Sequence, residues 1–238
     1  MSLRKLFVYL LVVIATTYGI VSVDEAQAQT KPIQLALWKP VQLFSSDTSV
    51  TGLRLNLIYG VNQDVLGIDL GLVNQTLGDQ TGFQYGAVNI TEGSFVGLRG
   101  GIVNVDKEGF TGIQYGLINM VDGSGLGWTN GGLNVVRNDF KGLLTGAINF
   151  VESDEHRGIQ LAAVNFFRMP AGHQGSGDLS EIEGVQVGFV NYAKTLAGLQ
   201  VGIVNYADYL RGVQIGLCNI ITKGKIPFLP IVNFNFAI

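Results

Sequence analysis

The chain has 238 residues, a formal net charge of −3, 33 glycines and one cysteine, and only 14% of its residues are charged. So neutral a balance argues against a nucleic-acid binder, which needs a basic stripe to displace counterions from phosphates. The lone cysteine rules out an internal disulfide framework, and a charged fraction well below the ~25% of ordinary globular chains points, with the glycines, to an extended and glycine-punctuated fold.

Arg4 and Lys5 precede an apolar run over residues 6–23, and Ala26, Gln27 and Ala28 follow with the small side chains a signal peptidase needs. Residues 1–28 therefore predict a secretory signal peptide cut after Ala28. The run approaches the ~20 residues that span a bilayer, so an uncleaved anchor helix is the competing reading. No cysteine stands near the cleavage point, which argues against a lipoprotein. Residues 29–51 read as an N-terminal cap, with apolar residues alternating around Trp38 and Pro40 outside the repeat that follows.

Residues 52–225 are tandem repeats. Unit-starting glycines stand at Gly52, Gly67, Gly82, Gly97, Gly112, Gly127 and Gly142, a spacing of 15, and then at Gly158, Gly184, Gly198 and Gly212. With each starting glycine as position 0, position 7 is Asn74, Asn89, Asn104, Asn119, Asn134, Asn149, Asn165, Asn191, Asn205 and Asn219; the first unit has Tyr59 instead. Position 4 is glycine in most units and Ala162 in one, and position 2 is glutamine in many, among them Gln84, Gln114, Gln160 and Gln214. Apolar residues fill positions 1 and 6 and most of positions 3 and 5, and another often stands two residues before the starting glycine, as in Phe95, Phe110 and Phe140. Apolar residues at both 5 and 6 break the period of two, so a corner belongs there.

This pattern predicts an all-β fold, a β-solenoid of about twelve coils of 14–16 residues. Coils about 4.8 Å apart would stack position 7 into one file, where asparagines bond their neighbours as an amide ladder. The alternative is a transmembrane antiparallel β-barrel with one strand per repeat, since about ten strand residues and a turn also fit the unit. A barrel, however, should show a two-unit period with alternating long and short connections, and the repeat shows one-unit identity.

The 26-residue step from Gly158 to Gly184 marks an inserted loop at 167–183. Its polar residues Arg168, His173, Gln174, Asp178 and Glu181 are the candidate interaction residues, because variable loops on a rigid scaffold commonly carry recognition. Residues 226–238 read as a degenerate twelfth unit and C-terminal cap: Asn233 falls 14 residues after Asn219, and Pro227 and Pro230 remove ladder donors as suits an edge.

Catalytic signals are absent from the pattern. His156 and His173 fall in connections without partners at ligand spacing, which predicts no zinc site, no metal and no cofactor. Arg54, Asp69 and Arg99 replace glutamine at position 2 and read as a charged file on an outer face. Cys218, at position 6, reads as an inert core thiol. Asn74-Gln-Thr76 and Asn89-Ile-Thr91 match glycosylation sequons only because the repeat places asparagine there.

The units Gly-Val-Gln-Val-Gly-Phe-Val-Asn-Tyr-Ala at 184–193 and Gly-Leu-Gln-Val-Gly-Ile-Val-Asn-Tyr-Ala at 198–207 resemble the leptospiral-type bacterial surface-repeat proteins. The opening at 52–60 and the ending at 230–234 are similar to that family as well. The resemblance implies an exported envelope protein in the outer membrane, at the cell surface or in the periplasm, and brings no catalytic residues. The expectation is a non-enzymatic scaffold with an unidentified envelope or surface partner, no nucleic acid, and room for membrane association.

Overall fold

A computed structural model of the chain describes residues 30–153, 156–169 and 182–236. The expected signal peptide and four of the five interaction-loop residues, His173, Gln174, Asp178 and Glu181, lie outside them. Among the described residues there are strands and no helix. The fold is a β-solenoid of about eleven turns, not a barrel.

Two compact units divide at residues 102 and 103. The first holds β1 (Lys31–Trp38), β2 (Val41–Gln42), β3 (Val50–Asn62), β4 (Val65–Thr76), β5 (Gln80–Thr91) and β6 (Ser94–Gly100). The second holds β7 (Val103–Asp106), β8 (Gly109–Val121), β9 (Ser124–Val136), β10 (Phe140–Glu152), β11 (His156–Arg168), β12 (Ile182–Val187), β13 (Val190–Val201), β14 (Val204–Ile221) and β15 (Phe228–Asn235). Within each unit one coil pairs with the next in parallel: Gly67 lies on Gly82 and Asn74 on Asn89, and Gly112 lies on Gly127 and Asn119 on Asn134. Between β3 and β4 the register slips by one residue after Asn56, so Gly60 and not Tyr59 lies on Asn74. An antiparallel barrel cannot produce that ladder, because its neighbouring strands run in opposite directions.

Each coil turns four side chains inward. In the coil that starts at Gly112 these are Phe110, Gln114, Asn119 and Val121, none more than 2% exposed. Position 2 thus faces the interior, and by the two-residue strand period positions 1 and 3 face out. This corrects the charged outer file expected from the sequence. Arg54 and Asp69 are 0% exposed and Arg99 is 1% exposed, all inside the first unit. They are stable there because stacking places opposite charges and amides within bonding distance of one another, described below.

Both ends depart from the coil. At the start, β1 lies parallel to β3, and β2 folds back antiparallel on β1. At the finish, the expected twelfth coil is absent: β15 runs antiparallel to β14, so Asn233 sits opposite Gln214 and not below Asn219. The turn over residues 222–227 reverses the chain, with Ile221 N–H bonding Pro227 O at 2.9 Å. Asn233 keeps the spacing of the repeat but donates to backbone carbonyls of Asn219 and Ile226. Pro230 lies within this last strand, where missing donors help an edge resist further pairing.

Two smaller expectations also shift. β11 continues through Arg168, so Phe167 and Arg168 belong to the coil and not to the inserted loop, and His156 opens a strand. Cys218 is partly exposed rather than a core thiol, because position 6 faces outward.

Candidate functional site

Two amide ladders line the interior. In the second unit each position-7 asparagine donates through Nδ2 to Oδ1 of the asparagine in the next coil: Asn104 to Asn119 at 2.8 Å, Asn119 to Asn134 at 2.9 Å, Asn134 to Asn149 at 2.8 Å, and onward through Asn165, Asn191 and Asn205 to Asn219. In the first unit Asn56 donates to Asn74 and Asn74 to Asn89. In most rungs the same amide also reaches the position-3 carbonyl of the following coil, as from Asn134 to Thr145 O at 2.9 Å and from Asn205 to Ile215 O at 2.9 Å, whereas Asn149 turns to Leu144 O of its own coil. The position-3 carbonyl stands beside the corner, so one side chain fixes both the stacking and the bend. All ten asparagines are at most 1% exposed, which also removes the two sequon residues from solvent.

The glutamine ladder runs the other way. Gln186 Nε2 donates back to Gln160 Oε1 at 2.9 Å, Gln200 to Gln186 at 2.8 Å and Gln214 to Gln200 at 2.8 Å. Its two ends explain two unpaired buried atoms. Gln160 Nε2 finds no acceptor because the preceding coil supplies the apolar Leu144, and Gln214 Oε1 finds no donor because β15 has reversed direction. Truncating Asn134 to alanine should break two rungs and strand the Asn149 Oδ1 acceptor and Asn119 Nδ2 donor. At about 1–3 kcal/mol for each group left unsatisfied, a loss of at least ~2 kcal/mol is expected in denaturant unfolding followed by the strand signal in circular dichroism.

In the first unit the position-2 file is ionic. Arg54 grips Asp69 with two bonds, Nε to Oδ1 at 2.7 Å and Nη2 to Oδ2 at 2.6 Å, and also donates to Gln75 O and Thr76 Oγ1. Gln84 Nε2 adds a 2.8 Å bond to Asp69 Oδ2. Arg99 donates to Gln84 and Thr91 and places its guanidinium 4.2 Å from the Phe95 ring centroid. Both lobes of the Asp69 carboxylate and all three nitrogens of the Arg54 guanidinium are bonded to protein groups and sealed from water, so this pair holds the coils together.

The surface separates into a charge-free side and a mixed side, on which charges stand beside exposed Leu66, Val96 and Leu126. Positions 1, 3 and 5 carry no charged residue in any of the eleven units, and positions 6 and 8 carry none either. Many of these side chains are exposed: Ile68, Phe83 and Leu98 in the first unit, Ile113, Trp128 and Ile159 in the second, all 40–52% accessible. The exposed charges of the second unit's coils fall at positions 10–12, such as Lys107, Asp122, Arg137 and Asp208, or just before the next starting glycine, such as Lys141 and Arg157. On that side Lys107 and Arg137 both pair with Asp122. Partial burial pushes the Asp122 carboxyl up, but the bonds and charges of Lys107 and Arg137 outweigh it and hold its pKa below the usual carboxylate value.

No family model, curated protein or solved structure matches the chain.

At position 8, between the apolar and charged sides, aromatic rings stack along the coils. Phe150, Phe166, Tyr192 and Tyr206 have successive centroids 5.2, 4.5 and 5.2 Å apart with nearly parallel planes. Arg168, the one described member of the expected interaction set, lies 5.4 Å from the Phe150 centroid and bonds Glu152 at 2.9 Å. Tyr206 Oη donates to Asp208 at 3.0 Å; that bond, then burial, raises its pKa. Among the described residues no group of three or more His, Cys, Asp and Glu could hold a metal.

An open trough of about 700 Å³ crosses the outer face of the second unit. Val187, Val201 and Ile215 form one wall, Phe189, Ile203 and Leu217 the other, and position-4 glycines the floor. The first unit repeats the arrangement in a trough of about 500 Å³ between Leu55 and Leu70 on one side and Leu57 and Leu72 on the other. The sequence held the signal for this face, a charge-free set at positions 1, 3 and 5 around an amide, but its outward direction was not evident without the ladders.

Proposed function

We propose that the chain is a non-enzymatic bacterial envelope or surface protein, exported by its N-terminal segment, that serves as a structural and interaction scaffold. The observation that supports this most is the division of labour within each coil. Inward positions are consumed by ladders that fix one coil on the next, while outward positions repeat the same uncharged groups along a line, as extended binding surfaces of solenoids do. Arg54 and Asp69 are spent on one another, and the amides on one another except at the two ends of the glutamine ladder. The partner is a component of the envelope or surface.

The test is fractionation of bacterial cells producing the full chain, with protease added to intact cells. The expected result is a product shortened by about 28 residues in the envelope fraction. A chain of unaltered length confined to the cytoplasm would overturn the reading.

A further inference from the structure

We propose that the charge-free side of the coils is a lipid-binding surface that seats in the acyl region of a membrane face, with the charged side left in water. The inference rests on the envelope reading only for which membrane is involved; the surface itself is read from side-chain placement.

Three observations carry it. First, exposed apolar side chains of the second unit at positions 1, 3, 5 and 6 amount to on the order of 1,000 Å², above the few hundred Å² patch of a typical monomer and the ~800 Å² each partner gives a standard interface. Second, that surface passes around the corner onto two sides of the coil, and the most accessible residues stand at the corner: Leu117 is 61%, Phe189 64% and Leu217 71% exposed. A second copy docked on one side would leave the other uncovered, whereas fluid acyl chains cover both sides and fill the trough between Val201 and Ile203. Third, over four successive coils the boundary with the charged side is the aromatic file from Phe150 to Tyr206, and its last hydroxyl, on Tyr206, turns to Asp208. Of its rings Tyr192 and Tyr206 are amphipathic, and tyrosines at the seam between apolar and hydrated surface are what a membrane interface selects.

The backbone permits it too. In the parallel coils the main-chain groups bond from coil to coil, as Gly202 N–H does to Ile215 O at 2.9 Å, so acyl contact leaves few amides to desolvate. With no cation on the apolar side, binding needs no anionic lipid.

The experiment is flotation of the purified full chain with vesicles of phosphatidylcholine alone. Wild type is expected to float, equally at low and high salt. Leu117→Lys, Phe189→Lys and Leu217→Lys together should lower the ratio of bound to free protein at least tenfold, while Gln63→Lys, Ser124→Lys and Asn138→Lys, at exposed positions on the charged side, should leave it unchanged. All variants share residues 6–23, so their differences isolate the coil face. A readout independent of the lysine variants comes from Trp128 at position 1: in a Trp38→Phe chain it becomes the sole tryptophan, and acyl-brominated phosphatidylcholine should quench it. Failure of wild type to float, flotation of the face variant like wild type, or unquenched Trp128 emission would each overturn the proposal. So would a wild-type dimer that the face lysines dissociate without any vesicle binding, an outcome that assigns the surface to a second copy. Vesicle binding and cell fractionation are separate measurements, so either reading can fail while the other stands.

Discussion

Asp69→Ala is expected to destabilise the first unit by about 3–5 kcal/mol, the cost of leaving a buried partner charge uncompensated. Arg54 loses both of its short bonds to the carboxylate, and its Nη1 contact with Gln75 O and Nη2 contact with Thr76 cannot replace a counter-charge. Gln84 loses its acceptor in the same step. The informative companion is Arg54→Gln with Asp69→Gln. Glutamine already occupies this position in Gln84, Gln114 and Gln186, and the pair would extend an amide file with no charge to desolvate. Replacing a buried ion pair by a compatible uncharged pair is often neutral or stabilising. The double variant should therefore unfold in guanidinium within ~1 kcal/mol of wild type, while the single variant unfolds far earlier. Equal, small losses in both would show that the ion pair does not hold the coils.

The same file shows where sequence reading ends. A period of 15 was legible because stacked coils put identical residues at identical phases, and the asparagine file followed from that alone. Which side of the strand faces in was not legible. A period of two sorts residues into two sets without saying which set is buried, and hydrophobicity, the usual arbiter, favours the wrong set here. Leu117 and Phe189 lie outside, while Gln114, Arg54 and Asp69 lie inside. Amides that bond only their own copies above and below can be buried in a solenoid as they cannot in an isolated strand, and this reverses the ordinary assignment. The C-terminus misled for a related reason. Asn233 keeps the phase of the ladder, but phase carries no information about strand direction, and the turn before Phe228 reverses it. Of the five polar loop residues singled out, Arg168 proves to be a coil residue packed by Phe150 and paired with Glu152. The other four lie outside the described residues, and the apolar face is a second candidate surface, one whose residues looked like core.

Gly127→Ala tests the element that sets this inverted arrangement. Gly127 has φ of 135°, where a side chain is strained, and a Cβ there would stand 2.0 Å from the Gly112 carbonyl oxygen of the coil beneath. That atom is backbone, so the coil spacing itself must give way. Backbone strain of order 1–3 kcal/mol adds to the clash, and a total loss of at least ~3 kcal/mol is expected. Gly132→Ala, five residues later, is the control. Its Cβ would meet the flexible Cδ1 of Leu117 at 2.9 Å and the Leu117 carbonyl oxygen at 3.0 Å, a far looser approach than at Gly127, and other units already carry Ala147 or Ala163 at that position. Its cost should stay within ~1 kcal/mol. Position 0 is glycine in all eleven units, whereas position 4 is Asn56 in one and Ala162 in another, so the demand for glycine is strictest at the corner that Gly127 occupies. Because each coil is held chiefly by its neighbours, the damage should spread along the stack. Hydrogen exchange should accelerate first in β8, β9 and β10 in the Gly127 variant. Exchange unchanged there, with full stability retained, would mean the corner bends by another route and the ladders alone fix the coil.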